Sequence, residues 1–286
     1  MSTRCSGIFV STCFVAIGLA ALPFPAIAQV SPDSSSAERV EKLTVDQVLS
    51  KLEERNAERA AALQGFEGTR IYRMQYRGFP SDRDAEMVVK VTFRAPSSKE
   101  FTVVSETGSK FVVDHIFKRL LDSEEEAFRA DNRQDTALTR QNYNFELQGY
   151  ESSPEGAQYV LKLVPKNRNK FLYRGRIWVD ASDFAVSRIE GEPAKNPSFW
   201  IKKTDIAHSY KKVNDFWLPA ENHTESSIRL GGKAMLSIEY RDYRITKSIP
   251  TNTAKSSRDM SKARRQGIVG AEPAVWESHI AILGTH

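Results

Sequence analysis

Beyond residue 13 the 286-residue sequence contains no cysteine, since Cys5 and Cys13 both lie in its apolar N-terminal stretch. Disulfides, thiolate nucleophiles and cysteine-ligated metals are thereby excluded from the rest of the chain. Histidine is scarce too. His115, His208, His223, His279 and His286 are scattered, and no two stand at a metal-ligand spacing with a carboxylate nearby. There is no G-x-S-x-G, no P-loop and no dinucleotide fingerprint. Asp180, Asp183 and Glu190 are the nearest local candidates for a pair of working carboxylates. The first two bound a polar turn, Asp180-Ala-Ser-Asp183, where aspartate ordinarily serves the backbone. Nothing therefore favours an enzyme, and no cofactor or metal is required. An excess of one charge is missing as well: 41 Lys and Arg against 36 Asp and Glu leave +5, with the signs interspersed. A nucleic-acid partner is not the natural reading.

What is present begins with Arg4, an apolar run from Ile8 to Leu22 and the small-x-small site Ala26-Ile-Ala28 before Gln29. This order predicts a secretory signal peptide over residues 1–28, cleaved after Ala28. Cys13 follows Val10-Ser-Thr, without the small residue that precedes a lipid-modified cysteine, so no lipid anchor is expected. Residues 29–42, rich in Ser and Pro at their start, have little to bury and read as a flexible linker. Residues 247–286 mix Ser, Thr, Lys, Arg and Gly without period and read as a disordered tail; Val275-Trp276 and Ile280 to Leu283 leave open a short docked piece. One globular domain is expected over residues 43–246.

Within that domain Thr44 and Gln47 form a capping box, followed by Val45, Val48, Leu49, Leu52 and Leu63 at helical spacing, up to Gln64-Gly65. The period then becomes two. Tyr72, Met74 and Tyr76 share one side of a strand, and Ile71, Arg73, Gln75 and Arg77 share the other. Met87, Val89, Val91 and Phe93 oppose Val88, Lys90, Thr92 and Arg94, with Pro96 ending the run. Phe101, Val103 and Ser105 give a third strand. After Gly108 the spacing of Phe111, Val112, Ile116, Leu120 and Leu121 predicts a second helix, and the charged segment from Arg129 to Arg140 leads back to strands at Tyr143, Phe145 and Leu147. Antiparallel strands then run on through Tyr159 to Arg244, with Phe199 to Tyr210 among them and a turn at Gly231-Gly232. Strands flanked and interrupted by helices make an α+β fold in which the helices cover one sheet face.

That face carries the candidate site. Tyr72, Met74, Tyr76, Met87, Val89, Val91, Phe93, Phe101 and Val103 form its apolar wall, and Phe111, Ile116, Leu120 and Leu121 the helix stripe above them. Further aromatics, Trp178, Phe199, Trp200, Phe216 and Trp217, are spread over later strands. Methionine adapts its shape and aromatics offer broad apolar contact, so the wall could enclose a greasy ligand; packed directly under the helices, the same residues are ordinary core.

A resemblance supplements these readings. Leu161-Lys-Leu-Val-Pro-Lys166, the strand ending Ile177-Trp-Val-Asp180, the segment Asp183-Phe-Ala-Val-Ser-Arg-Ile-Glu190 and Asp215-Phe-Trp-Leu-Pro219 resemble the outer-membrane lipoprotein-sorting proteins related to the periplasmic carrier LolA. The order of signal peptide, helix, three strands and inserted helix is similar too, and the resemblance covers about Leu43 to Ile245. It implies an unclosed antiparallel β-barrel, a curved sheet around an apolar cavity with helices as its lid. It also implies a periplasmic location and a partnership with lipid or lipoprotein acyl chains, with a membrane-bound donor or acceptor protein as a further partner. In such carriers an arginine holds the lid closed; no motif in this sequence says which one. Other members of that fold serve as envelope-stress sensors of the RseB type, the alternative expectation.

Overall fold

Thr44 starts the first helix as its spacing requires: its hydroxyl accepts from the Gln47 amide, and the Gln47 side chain accepts from the Thr44 amide at 2.8 Å. In this computed structural model the described residues are 43–247, apart from 97, 129–135, 154–155, 170, 197–198 and 230. The stretches expected to be a signal peptide and a linker, residues 1–42, most of the charged segment after Phe128 and residues 248–286 of the expected tail lie outside them. Helix α1 spans Val45–Ala62 and buries Val48, Leu49 and Leu52. It stops earlier than Gln64-Gly65, because Leu63 already enters the sheet opposite Lys247. Gly65 belongs to that strand, and any side chain there would strike the Phe93 carbonyl oxygen at 2.6 Å.

Ten strands follow: β1 Leu63–Gly78, β2 Arg83–Arg94, β3 Ser98–Gly108, β4 Tyr143–Ser153, β5 Gly156–Pro165, β6 Tyr173–Asp180, β7 Val186–Pro193, β8 Ile201–Val213, β9 Phe216–Ile228 and β10 Gly232–Lys247. They form one antiparallel sheet in the order β3-β2-β1-β10-β9-β8-β7-β6-β5-β4. All neighbours are sequential hairpin partners except β1 and β10, which join the first and last strands of the series. The edges, β3 and β4, do not pair, so the curved sheet stays an open barrel. Between those two edges the chain makes its second helical segment: α2 at Lys110–Val112, a π turn at Val113–Phe117 and α3 at Lys118–Phe128.

Alternation assigns the faces, and register carries them across strands. One row runs Leu147, Leu161, Ile177, Ile189, His208, Asn222, Ile238, Tyr72, Met87, each beside the next. Its two ends are apolar and its centre is not. The turn at Asp180 is built as its composition requires: the carboxylate accepts from the amides of Ser182 and Asp183 at 2.9 and 2.7 Å.

Candidate functional site

Among the described residues the buried apolar side chains fall into two large clusters and a small one, Tyr173 with Ile206. The first joins Tyr72, Met74, Met87, Val89, Val91 and Phe93 of β1 and β2 to Leu236, Ile238 and Tyr240 of β10 and to the second helical segment. The second joins α1 to Leu161, Leu163, Ile177, Val179 and Ile189 on β5 to β7. On the strands between them, the inward positions are Thr204, His208, Asn222, Thr224 and Ser226, all buried. These bond to one another: Thr204 Oγ1 lies 3.0 Å from Ser226 Oγ, Thr224 Oγ1 donates to Asn222 Oδ1 at 3.1 Å, and the Asn222 amide nitrogen approaches the His208 ring at 3.3 Å. Tyr173 meets the same ring edge-on at 5.8 Å between centroids. Satisfying such groups mutually is what permits their burial. Alternation puts Thr204, Ile206, His208 and Tyr210 of this strip in phase, but the polarity of its members does not mark them as buried.

The wall predicted from the sequence is assembled in the first cluster, with Tyr76 and Phe101 at its margin. Val103 stands opposite Val89 but is 40% exposed, because β3 is an edge strand and little covers it. In the helical segment Ile116, Leu120 and Leu121 pack on the wall, and Val112, Val113 and Phe117 join them. The buried positions 112, 113, 116, 117, 120 and 121 recur every four residues, longer than the 3.6 of an α-helix. The π turn accounts for that, since its i→i+5 bonds admit an extra residue per turn. Phe111 is thereby left outside the stripe, half-exposed and stacked on His115. The other aromatics divide. Phe216 joins the first cluster and Trp217 borders the second. Trp178 lies between the guanidiniums of Arg176 and Arg188 with its indole N–H on Glu151, and Phe199 and Trp200 precede β8, exposed.

Sequence reasoning missed the device that fastens the second helical segment. Arg70, in phase with Tyr72 and Met74, points inward and donates to both carboxylate oxygens of Glu124 on α3, at 2.6 and 3.1 Å. Lys99 of β3 closes on the same carboxylate, and the three side chains are at most 4% exposed. Arg70 also lies over the rings of Phe101 and Tyr240, at 5.5 and 5.2 Å. Helix α1 is held differently. Arg59 donates to the carbonyls of Asp183 and Phe184, and Arg140 reaches Glu53 and Ser50. Burial pushes the Asp183 carboxyl up, but hydrogen bonds from Lys212 and Trp217, with the charges of Lys212 and Arg59, outweigh it and hold the group below its ordinary value.

Among the described residues no group of three His, Cys, Asp or Glu could hold a metal ion, and no helix is long and apolar enough to cross a membrane.

Neither a protein-family model nor a curated protein sequence matches the chain. Solved structures do. A DUF1329 family protein from Desulfovibrio piger is 13% identical, over 69% of this chain and 92% of that one, with a TM-score of 0.36. A LolA superfamily protein from Nitrosomonas europaea is 13% identical, over 73% and 96%, with a TM-score of 0.32. The MucA/MucB complex of Pseudomonas aeruginosa matches at 10% identity over 71% and 99%, with a TM-score of 0.24. Likenesses this distant carry no weight for function.

Proposed function

We propose that the protein is a periplasmic carrier of acyl chains, from lipids or lipoproteins, that binds them between the β1–β2–β10 wall and the second helical segment. The observation that carries this reading is the fastening of that segment by a buried charge cluster. Burying Arg70, Glu124 and Lys99 costs more in desolvation than an apolar contact of equal volume, so it is a poor choice for stability alone. It suits a lid. Beneath the cluster lies a wall of Tyr72, Met87, Val89 and Val91 that the lid's Val113, Ile116, Phe117 and Leu120 now cover. Lifting the lid uncovers six buried side chains, at about 1.5–3 kcal/mol each. An acyl chain of about a dozen carbons returns roughly 10 kcal/mol at about 0.8 per methylene, enough to stand in for much of that contact. The test is mass spectrometry of lipid extracted from protein purified without detergent. Bound acyl lipid supports the carrier; its absence, with no uptake of a fluorescent fatty acid, rules it out.

A second reading, a regulatory module that binds a protein partner, is favoured by edge strand β3. Its outer side pairs with no described strand, as strand addition requires, and Val103 and Val104 are exposed beside it. Such a module would bind no lipid, and substitutions on β3 would abolish its partner complex.

A further inference from the structure

Among the described residues, four of the six exposed large hydrophobic ones gather at one rim of the open barrel. Phe79, 73% exposed, caps the β1–β2 turn; at the foot of that turn Gly78 pairs with Gly232, the first residue of β10. The β9–β10 turn in turn holds the loop before β8: the Arg229 amide donates to the Trp200 carbonyl at 2.8 Å, and its Nε to the Phe199 carbonyl at 2.6 Å. Phe199 and Trp200 themselves are 74% and 43% exposed and meet edge to face. Phe111 completes the group. Its segment is tied to the start of β2 by Ser109 donating to the Asp84 carbonyl, and the Arg83 guanidinium lies 4.8 Å above its ring. At the opposite rim, the turns at residues 95–96, 181–185 and 214–215 bear no exposed large hydrophobic residue among those described.

The charges beside Phe199 and Trp200 are mainly cations, although Lys203 and Lys233 pair with Asp205 and Glu225 and the turn of Phe79 carries Asp82 and Asp84. Residues 193–204 contain Lys195, Lys202 and Lys203, and residues 226–234 contain Arg229 and Lys233, without a single acid in either segment. Exposed Trp and Phe side chains beside lysine and arginine match the headgroup zone of a bilayer, where aromatic rings settle and cations meet anionic phosphates. A protein partner needs a shaped, desolvated patch, whereas these rings stand on three separate turns.

We infer that this rim docks on an anionic phospholipid bilayer, with Phe79, Phe111, Phe199 and Trp200 entering the interface and the lysines facing its phosphates. The inference stands apart from acyl binding, because none of these four side chains belongs to the covered face. Flotation of the natively purified protein with vesicles of phosphatidylcholine, alone or mixed with phosphatidylglycerol, tests it. Binding is expected to the mixed vesicles only, and to weaken as salt is raised. The variant Phe199→Ala with Trp200→Ala, and the variant Lys195→Glu with Lys202→Glu, should each bind at least about tenfold more weakly. Phe79→Ser, on a separate turn, gives an independent check should the loop variants misfold. All should take up a soluble fluorescent fatty acid as the parent does. Loss of fatty-acid uptake in the parent with vesicle binding intact would remove the carrier reading and leave this one standing. No binding to mixed vesicles, or binding unchanged in every variant, overturns the inference. So does self-association that these variants abolish, which would assign the rim to a second copy of the chain.

Discussion

Glu124→Gln keeps the shape of the side chain and removes its charge, taking the shared carboxylate from Arg70 and Lys99 in a site at most 4% exposed. Removing one partner of a buried ion pair ordinarily costs about 3–5 kcal/mol, most of it the penalty of the charge left behind. Here two cations lose the same carboxylate, so the upper half of that range is expected. For a domain of roughly 200 residues each kcal/mol moves the melting temperature by about 2–4 °C, which places the drop at roughly 8–20 °C. Replacing all three members, with Arg70→Met, Lys99→Met and Glu124→Leu, removes the desolvation cost together with the attraction. That variant should be no less stable than the parent, or more stable by about 1–4 kcal/mol. If the cluster is a latch, the two variants also part in binding. The single variant should take up a fluorescent fatty acid faster, and the triple variant, its lid held by apolar contact, more slowly. Urea denaturation and stopped-flow uptake on the same preparations decide the matter. A cost below about 1 kcal/mol for Glu124→Gln would show that the cluster is solvated, and a triple variant as unstable as the single one would refute the desolvation argument.

Leu120→Asp, which puts a carboxylate into the buried stripe, should lower both stability and fatty-acid binding; unchanged binding by a folded variant would mean that the helix is no lid. Met74→Trp should fill space meant for a chain and weaken binding at an overpacking cost of about 1–3 kcal/mol, whereas in a filled core it would only lower the melting temperature. Asp183 has a folded pKa below its unfolded value, so its contribution is present above the ordinary carboxylate range and is lost as pH falls through the folded value. Denaturation at several pH values should show Asp183→Asn flattening the acid side of the stability profile, and identical profiles would remove Asp183 from that role.

Local patterns were legible where local physics decides. The capping box at Thr44, the alternation of Tyr72, Met74 and Tyr76, the Asp180 turn and the Gly231-Gly232 turn all follow from side chains within a few residues. The latch did not, because Arg70 and Glu124 are 54 positions apart and an arginine in an apolar row reads as an interruption until its partner is placed. Phe111 was misplaced because nothing in the spacing announced a π turn at Val113. Phe199 and Trp200 looked like strand residues by composition, yet β8 begins at Ile201, which pairs with Ile228. The polar strip around His208 and Asn222 has no signature in its composition, because polar residues ordinarily face solvent and here they are buried on the central strands of a curved sheet.

Acyl binding in the proposed site requires the second helical segment to give way, and hydrogen–deuterium exchange with and without a saturating fatty acid reports on that segment directly. The account predicts faster exchange of the amides from Lys110 to Phe128 when the chain is bound, with those of α1 unchanged. A bound fatty acid that leaves the exchange of that segment untouched would contradict it.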